Sequence, residues 1–253
     1  MTKPPVVMIH GAFCNPVAMQ GLKARFEAGG YPVTTPCLRF HDTLSPPAVL
    51  GVTGLADYAA DLEEEIAALE NPILLGHSMG GLLAQMVAAR RRTAALVLLA
   101  PSPPWGVAPA TIAEIAAAQA MFLHPGFWTQ VLEANRDIAF SQSLNCVPRV
   151  LREAVFDSFV RESGRAMHEI MHWALDMNRT TAVDSAAITC PLLFVTGSED
   201  RVNSPQTVAR AADRYGDRAT VEVLEGRGHW LIGEPGWEDM AARLLAWLKA
   251  QKL

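Results

Sequence analysis

Residues 72–81 of the chain read PILLGHSMGG and decide its fold. A short apolar run, typical of a buried strand, leads directly into the pattern Gly-x-Ser-x-Gly, and a helical pattern follows. This sharp turn exposes Ser78, and Gly76 and Gly80 leave the room that the crowded backbone needs. The stretch therefore predicts a strand, a turn that presents Ser78 as a nucleophile, and a helix whose N-terminus directs N–H groups at developing negative charge.

Other apolar runs lie on both sides of this turn. Those with the composition of strands cover residues 6–9, 31–38, 96–99, 191–195 and 220–224. Helical patterns separate most of them, and prolines within residues 31–38 place that strand near an edge. Fully apolar strands that alternate with helices are typical of a parallel sheet covered on both faces, so the predicted fold class is α/β.

The middle of the chain has a different character. Residues 105–184 contain no convincing strand, are rich in Met, Phe and Trp, and show four helical patterns, near 110–123, 127–142, 148–162 and 165–177. We expect residues 1–104 and 185–253 to form the α/β core and residues 105–184 to form an inserted all-helical cap. Its Met and aromatic side chains would give a pocket an apolar, adaptable roof.

A serine hydroxyl becomes a good nucleophile when a neighbouring base takes its proton. His229 lies in the segment GRGHW, after the last predicted strand, where glycines free the backbone to deliver the imidazole to the end of the sheet. Asp200 ends the segment GSED and precedes His229 in the chain, so its carboxylate would orient the imidazole. Glu199 is an adjacent competitor for the acid, and Asp184 is a weaker candidate.

A reaction at Ser78 also needs two donors for the oxyanion. One is the backbone N–H of Met79, the residue after the nucleophile. For the other we assign the backbone N–H of Ala12, in the segment HGAF that ends the first predicted strand. His10 in that segment is interpreted as a brace that holds the loop by hydrogen bonding.

The four segments HGAF (10–13), GHSMGG (76–81), GSED (197–200) and GRGHW (226–230) together resemble the α/β-hydrolase superfamily. They follow the family's order and span most of the chain. The resemblance implies a mostly parallel sheet of about six strands flanked by helices, with a lid after the fourth strand. The chain is similar to compact esterases that share the HGA opening, such as plant-type methylesterases, and this implies a serine-dependent carboxylic ester hydrolase.

The resemblance leaves several chemistries open. Haloalkane dehalogenases and epoxide hydrolases place an aspartate where this chain has Ser78, and hydroxynitrile lyases place a threonine where it has Gly11, so these activities are disfavoured. Carbon–carbon bond hydrolases, perhydrolases and acyltransferases keep the same three residues. A small-molecule receptor on a hydrolase fold is a further alternative, because fold does not fix function.

Residues 168–172 read HEIMH, a rival motif in which two histidines on a helix bind zinc and the glutamate acts as a base. A third ligand at the extended spacing is missing, since Leu175 and Asn178 stand at those positions. We interpret the motif as a coincidence of the cap helix and predict neither a metal nor a cofactor. A zinc hydrolase is the least favoured alternative.

Composition limits the partners. The chain has 253 residues and a formal net charge of −5 with no basic run, so we expect no nucleic acid and no membrane partner. No apolar segment approaches the length that spans a bilayer and no signal peptide is recognisable, so the expected location is cytoplasmic. The expected partner is a largely hydrophobic ester, thioester or lactone, contacted by Phe13, Met121, Phe122, Trp128, Trp173 and Trp230.

Overall fold

A computed structural model describes residues 3–121 and 125–253 of the chain. Its strands are, in chain order, β1 (Val6–Ile9), β2 (Val33–Thr34), β3 (Ile73–His77), β4 (Ala95–Leu99), β5 (Val131–Leu132), β6 (Glu162–Ser163), β7 (Leu192–Gly197) and β8 (Ala219–Leu224). One sheet has six strands in the order β2-β1-β3-β4-β7-β8, and every neighbouring pair is parallel. This confirms the predicted α/β sheet and the edge position of β2.

The helices cover the two faces of this sheet and the insertion between β4 and β7. They are α1 (Gln20–Ala28), α2 (Leu55–Glu65), α3 (Met79–Ala88), α4 (Ile112–Met121), α5 (Arg136–Ser141), α6 (Arg149–Asp157), α7 (Gly164–Met171), α8 (Pro205–Asp213) and α9 (Trp237–Ala250). In the described part of the chain, none of them combines the length and the apolar composition that a bilayer-spanning helix needs.

Two hydrophobic cores form because alternate residues of each central strand point to opposite faces. Leu74 of β3 packs with residues of α2, α3 and α8, whereas its neighbours Ile73 and Leu75 pack with residues of α1 and α9. Both faces are buried, which explains why these strands read as continuous apolar runs rather than alternating ones. Burying one such side chain contributes about 1.5–3 kcal/mol to folding.

The insertion is not all-helical, and this part of the prediction is wrong. Residues Val131 and Leu132 of β5 pair with Ser163 and Glu162 of β6 in an antiparallel two-stranded sheet. The stretch 127–142, predicted as one helix, is broken here, and α5 begins only after Asn135, whose side chain accepts a hydrogen bond from the N–H of Ile138. Strands of two residues carry too little periodicity to be recognised in a sequence.

Three buried carboxylates join the insertion to the core. Each accepts a hydrogen bond from a core backbone N–H: Glu114 from Ser204 at 2.8 Å, Glu162 from Phe13 at 3.2 Å and Glu169 from Leu55 at 2.8 Å. Charge-assisted hydrogen bonds of this kind are stronger than neutral ones. The insertion is therefore fixed to the core at three separate places.

Candidate active site

The predicted site residues gather at one edge of the sheet. The segment 10–13 follows β1, Ser78 follows β3, Asp200 follows β7 and His229 follows β8. Because all these strands are parallel, their carboxyl ends meet at the same edge. In open α/β sheets this edge is the usual position of a ligand site.

The turn at Ser78 is backbone-strained. Ser78 has φ 54° and ψ −119°, a conformation that L residues rarely adopt. Its N–H donates to the carbonyl of Leu99 at 2.9 Å, and its carbonyl accepts from the N–H of Ser102 at 3.0 Å, so the neighbouring strand β4 and the loop after it hold the turn. A Cβ at Gly76 would collide with the backbone of Gly80, and a Cβ at Gly80 would collide with the backbone of Ile9, so neither position has room for a side chain.

The structure brings Ser78, His229 and Asp200 into one chain of hydrogen bonds. The Nε2 atom of His229 lies 3.0 Å from the Oγ of Ser78, and its Nδ1 lies 2.9 Å from the Oδ2 of Asp200. The partners assign the tautomer: Nδ1–H donates to the carboxylate, and Nε2 is left to accept the serine proton. All three residues are buried, so their interactions are weakly screened by water.

The competing acids lie elsewhere. The Oδ1 atom of Asp200 accepts hydrogen bonds from the N–H groups of Val202 at 2.8 Å and Asn203 at 2.9 Å, which fixes the carboxylate toward His229. Glu199 and Asp184 are exposed instead. Of the three acids considered, Asp200 alone forms a hydrogen bond with His229.

His77 joins the turn at Ser78 to the loop that carries His229. Its Nε2–H donates to the backbone carbonyl of His229 at 2.9 Å, and its ring packs edge-on against Trp230 at a centroid distance of 5.7 Å. Burial, reinforced by the nearby His229, lowers the pKa of His77 to about 3, so its ring is neutral. Sequence reasoning missed this contact, because 152 positions separate the two residues.

A second link missed by the sequence analysis holds the same loop. Both carboxylate oxygens of the buried Glu234 accept from the N–H of Gly228, at 3.0 and 3.1 Å. Burial raises the pKa of Glu234 above its usual range. The residue before His229 is thus held by a side chain that follows it by only a few positions.

The two predicted oxyanion donors are not engaged by other groups of the described residues. In the described residues, neither the N–H of Ala12 nor that of Met79 donates a hydrogen bond. Gly11 lies directly beside Ser78, because a Cβ built on it would come within 3.2 Å of the Cβ of Ser78. The two N–H groups therefore belong to segments that flank the serine hydroxyl.

His10 braces the loop as the sequence predicted. Its Nε2 accepts from the N–H of Leu38 at 3.2 Å, so the proton is on Nδ1, which donates to the carbonyl of Gly11 at 3.0 Å. Burial, reinforced by His41, lowers the pKa of His10 to about 4, which keeps this tautomer neutral.

The predicted substrate contacts divide into two groups. Phe13 and Trp230 are direct neighbours of Ala12 and His229 in the chain, and Trp230 packs against Phe159 of the insertion at 5.5 Å. The ring contacts that the described residues give Trp128 and Trp173 are all with the insertion itself: Phe127 and His168 for Trp128, Trp105 for Trp173. Phe122 and the side chain of Met121 lie outside what the structure describes.

The rival motif at 168–172 is built into the contact between insertion and core. The carboxylate of Glu169 accepts from Arg165 at 2.7 Å and from the N–H of Leu55, and the Nε2–H of His172 donates to the carbonyl of Ala118 at 2.8 Å. Residues 3–121 and 125–253, as described, contain no group of three His, Cys, Asp or Glu side chains that could hold a metal ion. The absence of a metal from the function stays a prediction.

The parallel sheet and the residues at its carboxyl edge define a class of protein. The model of the alpha/beta hydrolase family matches residues 6–243, and the chain belongs to that family. None of the curated proteins matches the sequence.

Solved structures share the fold over almost the whole chain. A monoacylglycerol lipase from Paleococcus ferrophilus is 22% identical, with a TM-score of 0.70 over 98% of this chain and 96% of its own. A methylesterase from Arabidopsis is 15% identical, with a TM-score of 0.73 over 98% and 99%. Tomato methylketone synthase I, complexed with 2-tridecanone, is 15% identical, with a TM-score of 0.73 over 99% and 100%. At these identities the likeness establishes the fold.

Proposed function

We propose that the protein is a serine-dependent hydrolase of carboxylic esters that acts through an acyl-serine intermediate. One observation carries the proposal: hydrogen bonds join Ser78 to His229 and His229 to Asp200, beside two backbone N–H groups that the described residues leave without a partner. The names of two solved relatives, a monoacylglycerol lipase and a methylesterase, support ester cleavage as the reaction class.

In the first step the Oγ of Ser78 attacks the acyl carbon while Nε2 of His229 takes the hydroxyl proton. The bond from the acyl carbon to the leaving oxygen then breaks, and His229 gives its proton to the departing alcohol. Asp200 keeps the imidazole in the required tautomer and stabilises the imidazolium that forms.

In the second step water attacks the acyl-serine, and His229 takes a proton from that water. The imidazolium returns the proton to the Oγ of Ser78 as the carboxylic acid leaves. Both steps place a negative charge on the former carbonyl oxygen, and the N–H groups of Ala12 and Met79 would donate to it. Losing one such donor typically costs about 3–4 kcal/mol of barrier.

We infer that the substrate is uncharged and largely hydrophobic: an ester, a thioester or a lactone. Phe13 and Trp230 follow the predicted oxyanion donor Ala12 and the predicted base His229 in the chain, and Trp230 packs against Phe159 of the insertion. Apolar walls with few polar groups are typical of sites that bind small hydrophobic ligands.

The test is hydrolysis of p-nitrophenyl esters of increasing acyl length by the wild type, by Ser78→Ala and by a control, Ser45→Ala, at an exposed serine. We expect the Ser78 variant to fall to background and the control to match the wild type. A fluorophosphonate probe should add its mass to the wild type alone. Equal activity of the wild type and Ser78→Ala, or activity that a chelator removes, would refute the proposal and favour the motif at 168–172.

The same assay separates the alternatives that share these three residues. Labelling of Ser78 without ester hydrolysis would direct attention to other acceptors or substrates: alcohols for acyl transfer, hydrogen peroxide for perhydrolysis, and β-diketones for carbon–carbon cleavage. Tight binding of an apolar ligand with negligible turnover would identify a receptor.

A further inference from the structure

Glu162 carries a fully buried carboxylate from the insertion into the core. Its Oε2 accepts from the N–H of Phe13 at 3.2 Å and lies 3.0 Å from Nε2 of His41. Its Oε1 accepts from the hydroxyl of Tyr58 at 2.9 Å and from the N–H of Ser163 at 2.7 Å. Both oxygens are therefore fully engaged, and three of the four donors lie outside the insertion.

His41 provides the counter-charge. Its two ring nitrogens face acceptors, the carbonyl of Arg39 at 3.0 Å and the carboxylate of Glu162, and only an imidazolium donates to both. Burial opposes this charge, but Glu162 outweighs it and raises the pKa of His41 above its usual value. Burial likewise opposes the charge of Glu162, and His41 with the other donors lowers the pKa of that carboxyl. The two side chains form a buried ion pair.

Attachment of the insertion does not by itself account for this pair. Glu114 and Glu169 also anchor the insertion to core N–H groups, and among the described residues neither has a buried histidine as partner. Removing the two charges of a buried ion pair from water is costly, and well-packed apolar residues in their place often stabilise a fold at least as well as the pair does. What distinguishes Glu162 from the other two carboxylates is the segment that it holds, which carries the predicted oxyanion donor.

The backbone on both sides of Ala12 is fixed by hydrogen bonds. The N–H of Ala12 shares a peptide group with the carbonyl of Gly11. That carbonyl accepts hydrogen bonds from the ring of His10 at 3.0 Å and from the N–H of Cys14 at 3.3 Å. The next peptide group ends in the N–H of Phe13, which Glu162 holds. The core thus orients one side of Ala12, and the insertion orients the other.

Phe13 needs such support, because its φ of 58° is a conformation that costs a side-chain-bearing residue about 1–3 kcal/mol. The insertion takes both of its backbone polar groups: Glu162 accepts from its N–H, and its carbonyl accepts from the N–H of Val160 at 2.9 Å. Without Glu162, the loop would lose one of the two bonds that hold Phe13 in this strained conformation.

We infer that Glu162 is a positioning residue for the oxyanion hole: held by His41, it fixes Phe13 and thereby the N–H of Ala12 beside Ser78. The insertion thus contributes a positioning contact to the catalytic machinery. This inference rests on the proposed function, because it assumes that an oxyanion forms at Ser78.

The experiment compares Glu162→Gln with the matched control Glu169→Gln, which changes another buried carboxylate of the insertion that accepts from a core N–H. Each oxygen of Glu162 accepts from a backbone N–H. In Glu162→Gln the amide nitrogen replaces one of these oxygens, and in either orientation it faces a backbone N–H from which it cannot accept. Glu162→Asp keeps the charge and shortens the reach, and it tests the same contact if the Gln variant does not fold. Hydrolysis of p-nitrophenyl esters is measured for all variants that give a folded circular-dichroism spectrum.

We expect kcat of the Glu162 variants to fall about 10- to 100-fold with KM nearly unchanged, the signature of an interaction made only in the transition state. The affinity for a trifluoromethyl alkyl ketone, which forms an oxyanion on the serine, should fall in proportion, and that for the corresponding methyl ketone should not. If the Glu162 and Glu169 variants lose kcat equally, the positioning role is wrong. If Ser78→Ala keeps its activity, the proposed function itself has failed, whatever Glu162 does.

Discussion

The ring of His77 donates a hydrogen bond of 2.9 Å to the backbone carbonyl of His229. The residue that precedes the predicted nucleophile in the chain therefore holds the residue predicted to activate it. This bond does not compete with those to Ser78 and Asp200, because His229 uses its ring nitrogens for these two residues and its backbone carbonyl for His77. Two hydrogen bonds therefore join the turn at Ser78 to the loop that carries His229.

Loss of the hydrogen bond from His77 to the carbonyl of His229 should reduce turnover. His77→Phe removes the donor and keeps the ring, so we expect kcat to fall roughly fivefold to tenfold, the value of about one net hydrogen bond. His77→Gln retains an N–H donor and should lose less. Steady-state kinetics on one ester would check this, and equal losses in the two variants would contradict a role for the hydrogen bond.

Two buried histidines should make the protein sensitive to mild acid. Burial and a neighbouring histidine lower the pKa of His10 to about 4 and that of His77 to about 3. Such a group contributes stability that is present above its unfolded pKa, near 6.5, and is lost as the pH falls toward the folded value. Below roughly pH 6, each histidine should therefore lower the free energy of unfolding by up to about 1.4 kcal/mol for every unit by which the pH falls.

Urea unfolding between about pH 7 and pH 5 would measure this slope. His77→Asn removes one of the titrating groups, so its free energy of unfolding should fall less steeply with pH than that of the wild type. The slope is the informative quantity, because the substitution also shifts stability at every pH. An unchanged slope would mean that His77 takes up no proton on unfolding.

Gly11 should be critical for activity and not for folding. A Cβ there would come within 3.1 Å of Nδ1 of His77 and 3.2 Å of the Cβ of Ser78, so Gly11→Ala must displace the segment that carries the N–H of Ala12. We expect kcat to fall about 100-fold, as small displacements in a site do. Gly30→Ala is the opposite control: it has open space but a φ of 84°, so stability should fall by about 1 kcal/mol while kcat stays unchanged. Activity and melting curves of both variants would decide.

Asp200 and Glu199 offer a direct comparison of adjacent acids. Asp200→Asn should lower kcat about 10⁴-fold, the loss that this change causes in a serine protease, because the amide favours the wrong imidazole tautomer. Glu199→Gln should change kcat little, since that side chain is exposed. A larger loss for the Glu199 variant would reassign the acid.

Short sequence motifs predicted the central strands and which residues lie together at the candidate site. Contacts between positions far apart in the chain could not be predicted. The stretch 72–81 predicts its strand, turn and helix start from only ten residues. Segments that follow neighbouring parallel strands meet at one edge of the sheet, which brings the other site residues together. Nothing in the sequence pairs Glu162 with His41, which are 121 positions apart, or His77 with the carbonyl of His229. β5 and β6 are too short to show a period. The boundaries at 105 and 184, the cytoplasmic location and the catalytic roles stay predictions.

The buried ion pair has a consequence for recombining this family. Exchanging residues 105–184 for the equivalent segment of another member transplants position 162 and leaves His41 behind. Unless the donor segment supplies an acid there, His41 loses the partner that sustains its charge, and the N–H of Phe13 and the hydroxyl of Tyr58 lose their acceptor. Each buried donor left unpaired costs about 1–3 kcal/mol. Modular shuffling of substrate specificity therefore succeeds here only when the two positions are inherited together, and library design should treat them as one genetic unit.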